Sequence, residues 1–371
     1  MKSIPPWRNR RLWIWGIQVV VLLVVIGLLG YFARNLTNNY AQLGLRFGFN
    51  FLQRPAGFAI GDTPIPFERG DSFLWAVCIG VVNTLRVSVL GIVLATLLGT
   101  VAGVARLADN WLVRQLAAVY VQVFRNTPLL LQLFFWYGAV FLQLPPPIKA
   151  TPWGDVWLTN RGLSLPMPAA PGWEWGVSIV TVGLLVVVWR SQIPRRRLWG
   201  LSTGLLAVLL IWRWDWQVPQ FDEAQEILSG GLQFSPEFAT LLFGLTLYTG
   251  AFIAEVVRGG IQSVTAGQRE AAIALGLSES LALRLIVFPQ ALRVILPSLT
   301  NEYLNLTKNS SLAIAFGFSD LYAIAFTIQN NTGRAVEMLL LIMALYLLFD
   351  LGIVTVMNAI NRQLLFPGGR G

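Results

Sequence analysis

Long apolar segments separated by short charged connections form the pattern of this chain of 371 residues. A run of about twenty apolar residues is long enough to cross a bilayer as a helix. Such runs predict eight membrane-spanning helices, at about residues 12–32, 73–107, 116–142, 175–189, 198–212, 238–257, 292–328 and 336–360. Because proline removes a backbone hydrogen bond, we expect a kink at Pro128 in the third span. The seventh span should be broken at Pro297 and at residues 309–311.

Arginine-rich connections set the expected orientation. They lie at residues 106–114, 190–197 and 258–293, and positively charged connections face the cytoplasm. Eight spans place all three connections there, together with both termini, and leave residues 33–71 as an external loop. A retained first helix is favoured over a cleaved signal peptide, because its apolar run is long and no small-residue cleavage site follows. The arginines at 190–197 fit contact with anionic membrane lipid.

The composition agrees with a membrane protein and excludes several kinds of chemistry. Only 12% of the residues are charged, whereas soluble domains carry about a quarter. The net charge of +9 follows from the arginine connections, so we expect no nucleic-acid partner. There is no histidine and one cysteine, so we expect no metal site, no cofactor and no histidine-based catalysis. None of the three lysines follows a glycine, so a phosphate-binding P-loop is absent and another chain must bind any ATP.

The connection between the sixth and seventh spans has a helix–turn–helix pattern with polar edges. Residues 265–275 are helical in pattern, and Gly276 is placed where a left-handed residue ends a helix. Ser278 is suited to cap a second short helix, with Glu279 in its first turn. Ala271 and Ala272 would let the first helix lie close against a partner. The pattern predicts two short helices along the membrane surface that transmit motion as a rigid unit; an ordinary amphipathic loop is the alternative.

This connection resembles the loop by which ABC-importer permeases dock onto their ATPase subunits. The family pattern is Glu-Ala-Ala, three residues, Gly, nine residues, Ile, one residue and Leu-Pro, and here Phe288 replaces the leucine. The residues that the resemblance assigns to ATPase coupling are Gly267, Glu270, Ala271, Ala272, Gly276, Ile286 and Pro289.

Four more segments, at 83–85, 124–130, 254–261 and 308–312, resemble the polar amino-acid branch of these permeases, although Asn309 stands where Asp is common. Residues 48–58 resemble the first membrane subunit of bacterial general L-amino-acid permeases. The resemblance covers about residues 48–145 and 238–360. It implies an all-α membrane protein with about eight spans, containing a five-helix type I ABC-importer permease core in the bacterial inner membrane.

The resemblance also implies partners and a division of the chain. The partners are ABC ATPase subunits, a second permease subunit of different sequence, and a periplasmic or lipid-anchored amino-acid-binding protein. An anchor helix and external loop occupy residues 1–78, the permease domain residues 79–361, and a cytoplasmic tail residues 362–371. The permease domain contains an inserted helical pair at about 173–214 and the coupling loop at about 259–290.

Polar residues inside spans are costly and therefore mark a candidate substrate path. Glu302, Asn305 and Asn309 form a stripe at i, i+3 and i+7, next to Lys308, and could bind the ammonium and carboxylate of an amino acid. Tyr248 and Thr249 could add hydroxyl groups. The alternative is that Glu302 and Lys308 pair with each other or face the partner subunit.

Three further side-chain sets in the spans have structural interpretations. Glu255 and Arg258, at i and i+3, predict a structural ion pair. Asp350 is isolated in the last span and has no assignment. Small residues on the second span predict close helix packing rather than a pore; they are Gly91, Ala95, Gly99 and Gly103.

Other functions explain less of the sequence. A self-contained secondary transporter or channel would show matching halves with broken helices, and no such internal symmetry is visible. A membrane-embedded enzyme lacks candidate catalytic groups. A mechanosensitive or purely structural role leaves the coupling loop unexplained.

Overall fold

A computed structural model describes residues 10–42, 44, 47–168, 204, 206, 216–222 and 227–364. In this described part of the chain, five helices are long and apolar enough to cross a membrane. The predicted inserted pair at 175–189 and 198–212 falls, apart from residues 204 and 206, outside the described residues. The connection at 190–197 and residues 365–371 also lie outside them, so the count of eight spans stays a prediction.

The first two helices are long. Helix α1 runs over Arg10–Gln42 and α2 over Phe73–Ala105, where the Ser72 side chain caps its first turn. Residues 33–42, predicted as part of the external loop, are helical because α1 continues past its apolar run. The side chains from Trp13 to Phe32 are exposed, which suits a helix that faces lipid.

The predicted third span is two helices. Helix α3 covers Trp111–Asn126, and α4 covers Leu129–Phe134 and continues as a π turn over Phe135–Val140 and a 3-10 turn over Phe141–Gln143. Thr127 between them is extended, with φ −100° and ψ 129°, because a residue before proline avoids the helical region. The kink expected at Pro128 is therefore a complete break.

The second half of the chain contains six helices in the described residues. They are α5 (Pro236–Gln262), α6 (Ala266–Ala274), α7 (Glu279–Ala282), α8 (Phe288–Asn309), α9 (Leu321–Thr332) and α10 (Ala335–Leu364). The predicted break at Pro297 is wrong, because this proline lies inside the continuous α8. The break near 309–311 is confirmed: a 3-10 turn over Ser310–Phe316 follows α8 and ends at Gly317, whose φ is +90°.

Helices α2 and α5 pack closely along each other, as the small residues of α2 predict. A Cβ atom on Gly99 would lie 2.6 Å from the Gly250 carbonyl oxygen, and one on Gly103 would lie 2.6 Å from that of Ala254. No larger side chain fits at these contacts. The main apolar core lies between α2, α4, α5 and α8, and a second core joins the first half of α2 to α9, α10 and residues 51–56.

Short antiparallel strands lie at the end of the molecule where α5 begins, a feature with no counterpart in the sequence pattern. Strands β1 (Trp157–Thr159), β2 (Gly162–Leu165) and β7 (Leu232–Phe234) form one sheet, with Leu163 opposite Phe234. Strands β3 (Met167–Pro168) and β4 (Trp216–Gln217) form a second, and β5 (Gln220–Asp222) and β6 (Ile227–Ser229) a third. We call this end of the molecule the far side, because α5 leads from it to the coupling loop.

Candidate functional site

The turn of the coupling loop has the geometry that its sequence predicts. Gly276 has a φ of +84°, in the left-handed region. Its N–H donates to the Ile273 carbonyl at 2.9 Å, and the Leu277 N–H donates to the Ala272 carbonyl at 3.1 Å. These two bonds form a Schellman motif, which satisfies the free carbonyls at the end of α6. Helix α6 therefore ends in a fixed turn.

The second half of the loop differs from the prediction of a separate short helix. After α7 the helix widens into a π turn over Leu283–Val287 and runs directly into α8. Pro289 lies in the first turn of α8. A proline ring in a helix crowds the carbonyl four residues earlier, which here belongs to Leu285 inside the π turn. The π turn therefore keeps the helix continuous where Pro289 would otherwise break it.

The two arms of the loop are joined by polar side chains. Arg269 on α6 forms a salt bridge of 2.7 Å with Glu279 on α7, and both side chains are more than half exposed. Glu270, Ala271 and Gly276 are exposed, and Ile286 is half-buried. Ala272 is 4% exposed and packs inside the chain, and the expectation that it lets α6 lie close against a partner stays a prediction.

The predicted polar stripe lies on one side of α8. The opposite side is buried in the main core through Leu299, Tyr303 and Leu306. Asn305 and Lys308 are exposed in this single chain, whereas Glu302 and Asn309 are half-buried. The polar side of α8 is therefore turned away from the core of this chain.

The ion pair on this stripe differs from the expected one. The Lys308 Nζ atom lies 2.9 Å from Oδ2 of Asp350 on α10, so Lys308 pairs with Asp350 and not with Glu302. This contact gives Asp350 the partner that its isolated position in the sequence did not reveal. The Lys308 side chain keeps 51% of its surface exposed. Its ammonium can therefore still meet a ligand.

The two hydroxyl residues on α5, Tyr248 and Thr249, lie in different surroundings. The Tyr248 ring contacts Phe252 at a tilted angle, with 4.9 Å between centroids, and borders the main core. Thr249 is 2% exposed. Thr249 is thus buried inside the chain, and the contribution of both hydroxyl groups to a substrate path stays a prediction.

Glu255 gathers three arginines where the sequence predicts one. The predicted pair with Arg258 is confirmed at 2.8 Å. Arg106, at the end of α2, donates a hydrogen bond to Oε1 of Glu255, and Arg125, at the end of α3, lies 3.4 Å from the same oxygen. The carboxylate therefore joins α2, α3 and α5. The two further arginines are distant in sequence: Arg106 lies at the end of the predicted second span, whereas Arg125 lies inside the predicted third span, where the structure shows that α3 ends.

A second carboxylate, Glu337 at the start of α10, is fully buried. The Tyr40 hydroxyl donates to Oε2 at 2.6 Å, and the Gly48 N–H donates to Oε1 at 3.3 Å. Arg334 forms a salt bridge of 2.9 Å with Oε1. Glu337 therefore fastens the end of α1 and the segment after it to α10.

The described side chains offer no metal centre. In the resolved helices and strands, no three His, Cys, Asp or Glu side chains come together to hold a metal ion. The site consists of a coupling loop, a polar helix side and two carboxylate clusters.

The comparisons with known proteins identify the family. Residues 91–365, well over half of the chain, match the family of binding-protein-dependent transport system inner membrane components. The chain belongs to this family. The resemblance to ABC-importer permeases is therefore confirmed, together with the helical membrane fold of that class.

Two relatives of this transport component cover nearly its whole length. The general L-amino acid transport system permease protein AapQ of Rhizobium johnstonii is 40% identical over 369 residues, covering 94% of this chain and 91% of AapQ. The glutamate/glutamine/aspartate/asparagine transport system permease protein BztB of Rhodobacter capsulatus is 39% identical over 400 residues, covering 94% and 92%. A crystal structure of an amino acid ABC transporter with histidines aligns at 22% identity with a TM-score of 0.49, over 78% of this chain and 95% of that one.

Proposed function

We propose that this chain is a permease subunit of an ATP-driven amino-acid importer, and that residues 259–290 receive an ATPase subunit of that importer. The names of AapQ and BztB support the substrate class. The observation that carries the docking role is the fixed turn at Gly276 with an outward leucine beside it. ATP hydrolysis belongs to the partner chain, because this sequence has no P-loop.

Leu275 is the most exposed apolar side chain of the loop. It is 83% exposed and directly precedes Gly276. A single exposed leucine is ordinary, but this one stands on a turn whose backbone is fixed by the Schellman bonds. A rigid turn that presents an apolar side chain suits a groove on a partner, since little entropy is lost on docking.

The polar side of α8 is proposed as part of the substrate path. Glu302 would accept the ammonium of the amino acid, and Lys308, half exposed despite its pair with Asp350, would attract the carboxylate. Asn305 and Asn309 add amide groups on the same side. Since this side is turned away from the chain's own core, the path would be completed by a second permease subunit.

The remaining proposals concern placement and assembly. Both termini would lie in the cytoplasm of a bacterium, with the coupling loop on the same side. A periplasmic or lipid-anchored amino-acid-binding protein would meet the far side. A second permease of different sequence would pair with this chain.

The docking role is tested with the complete transporter in nanodiscs, measuring ATP hydrolysis with and without the loaded binding protein. Leu275→Asp should reduce the stimulated rate about tenfold or more, because a charge replaces the apolar contact at the centre of an interface. Leu158→Asp, on exposed β1 at the far side, is the matched control and should retain the wild-type rate.

The turn itself is tested by Gly276→Ala. The left-handed conformation disfavours alanine, so the turn should open and stimulation should fall. Gly70→Ala is the control, because Gly70 has open space around it and no positive φ. Wild-type stimulation in both Leu275→Asp and Gly276→Ala, with normal subunit assembly, would refute the docking role.

A further inference from the structure

A cavity of about 490 Å³ lies on the far side, between the segment at residues 61–63 and the sheet β1–β2–β7. It is outside the polar path and the coupling loop. Its lining combines charged, polar and apolar groups, which include Asp62, Thr63, Arg161, Leu228, Gln233 and Phe234. The volume falls in the range of pockets that bind ligands, about 300–1,000 Å³.

Asp62 connects the cavity to two membrane-spanning helices. Its Oδ1 atom lies 3.2 Å from Nη1 of Arg86 on α2. Its Oδ2 atom accepts a hydrogen bond of 2.9 Å from the Ser235 hydroxyl. The same Ser235 oxygen accepts the Phe238 N–H at 3.0 Å and so caps α5. A displacement of the segment around Asp62 therefore reaches α2 and the first turn of α5 directly.

Arg86 is held in place from several directions. It donates to the Asn83 side chain at 3.1 Å, and its guanidinium lies 4.8 Å from the centre of the Phe238 ring. Asn83 in turn donates to the carbonyls of Asp62 at 2.8 Å and of Ser319 at 2.9 Å. Asp62, which lines the cavity, is consequently tied to α2 and to the segment before α9 by a connected set of polar contacts.

The wall of the cavity is formed by strands β2 and β7, which approach each other very closely. Gly162 has a φ of +112°, and a Cβ atom on it would lie 2.0 Å from the Phe234 carbonyl oxygen. Phe234 stacks on Phe238 with ring centroids 4.7 Å apart. The sheet is thereby packed against the beginning of α5.

We propose that this cavity receives a protruding loop of the amino-acid-binding protein, and that Asp62 is the positioning residue that passes this contact to α2 and α5. The inference rests on the proposed function. The family is defined by dependence on a binding protein, which must contact the side opposite the ATPase. Helix α5 begins beside the cavity, directly after Ser235, and ends at Gln262, three residues before Thr265, which immediately precedes α6.

The lining indicates the chemistry of the inserted loop. Leu228 and Phe234 offer an apolar surface, while Thr63 and Gln233 offer hydrogen-bonding groups beside it. A loop that presents one apolar side chain flanked by polar groups fits this arrangement. A free amino acid or a second copy of this chain are the other possible occupants, and the experiment separates them.

The experiment uses the complete transporter in nanodiscs and the amino-acid-loaded binding protein that co-purifies with it. Ile227→Trp places a bulky ring at the cavity from an exposed strand position. The Kd for the binding protein should rise about tenfold, as expected for an obstructed anchor pocket. Leu158→Trp makes the same change on exposed β1, outside the lining, and should leave the Kd within about twofold of wild type.

Asp62→Asn tests transmission separately from binding. The amide still accepts the Ser235 hydrogen bond but loses the charge that holds Arg86. We expect the Kd for the binding protein to stay near wild type while stimulated ATP hydrolysis falls severalfold. A merely structural role would instead raise the Kd, reduce stimulated ATP hydrolysis and lower the yield of assembled transporter.

The outcomes distinguish this inference from the proposed function. If wild-type transporter shows no stimulation by any co-purified binding protein, the proposed function fails first. If wild type is stimulated but Ile227→Trp and Leu158→Trp bind equally well, the cavity is not the docking site. The chain could instead bind a free radiolabelled amino acid. If Ile227→Trp abolished that binding, the inference would be overturned in favour of a small-molecule site. Self-association lost in that variant would favour a second copy.

Discussion

Glu255 and Glu337 are both carboxylates that join separate helices, but they do so in opposite ways. Glu255 gathers three arginines from three helices and keeps part of its side chain in contact with solvent. Glu337 is completely buried and divides its oxygens among a tyrosine hydroxyl, a backbone N–H and one arginine. The first cluster lies toward the coupling-loop end of α5, and the second lies at the start of α10.

The difference in burial determines whether each carboxylate can exchange its ion-pair partners. A buried carboxylate that loses a partner leaves groups without compensation, so the Glu337 cluster behaves as a fixed joint. A partly exposed carboxylate with surplus cations can exchange partners at small cost, because water and salt screen each pair. Glu255 is therefore suited to a region that moves, and Glu337 to a region that does not.

Glu337→Ala should have the largest effect. It leaves the Arg334 guanidinium and the Tyr40 hydroxyl without their carboxylate in a buried place, which costs about 3–5 kcal/mol. The midpoint of thermal unfolding in detergent, followed by tryptophan fluorescence, should fall strongly. Glu337→Gln keeps the volume and an acceptor for Tyr40 and should fall less; equal midpoints for Glu337→Ala and wild type would disprove the fixed joint.

Tyr40→Phe isolates one bond of the same cluster. A hydrogen bond to a charged group contributes about 1.5–3 kcal/mol, and the phenyl ring keeps the packing. The unfolding midpoint should fall by less than in Glu337→Ala. Tyr31→Phe, on the exposed side of α1, is the control and should leave the midpoint unchanged. A drop of similar size in both tyrosine variants would show that the hydroxyl of Tyr40 has no special role.

Glu255→Gln should have a smaller effect on stability, about 1–2 kcal/mol, because its three pairs are partly exposed. The loss of stability in Glu255→Gln should depend on ionic strength. Raising the ionic strength from about 0.05 to about 0.5 M should shrink the difference from wild type, since screening weakens exposed pairs. The corresponding difference for Glu337→Ala should persist. If salt alters both differences equally, the contrast between the two carboxylates is refuted.

Glu279→Gln should have the smallest effect. Its pair with Arg269 is exposed on both sides, and such pairs contribute less than about 1 kcal/mol. The unfolding midpoint should barely move. A loss comparable to that of Tyr40→Phe would show that the two arms of the coupling loop depend on this bridge for folding.

Local features could be predicted from the sequence because their physics is local. The left-handed Gly276 needs only the helix before it, and the packing of Gly99 and Gly103 needs only a neighbour that approaches closely. The positions of the long helices follow from apolar run length. The extension of α1 to Gln42 does not follow from apolar run length, because residues 33–42 are mostly polar. This part of the helix is held at its end by the hydrogen bond between Tyr40 and Glu337.

Contacts between distant parts of the chain could not be predicted in this way. Lys308 and Asp350 lie on different helices, so their pairing depends on how α8 and α10 pack. Arg106 and Arg125 join Glu255 only after α2, α3 and α5 meet. The far-side strands are too short for an alternating pattern to identify them, since several contain only two or three residues. The unbroken helix through Pro297 likewise shows tertiary packing overriding the local preference of proline.

The π turn after α7 joins the second arm of the coupling loop and the polar stripe into one continuous helical rod. From Glu279 to Asn309 the helical backbone is continuous, a length of about 45 Å at about 1.5 Å per residue. A tilt of about 5° at the loop would displace the far end of such a rod by about 4 Å. That distance is comparable to the width of one side chain. A small rotation imposed at the loop could thus change which groups line the polar side of α8.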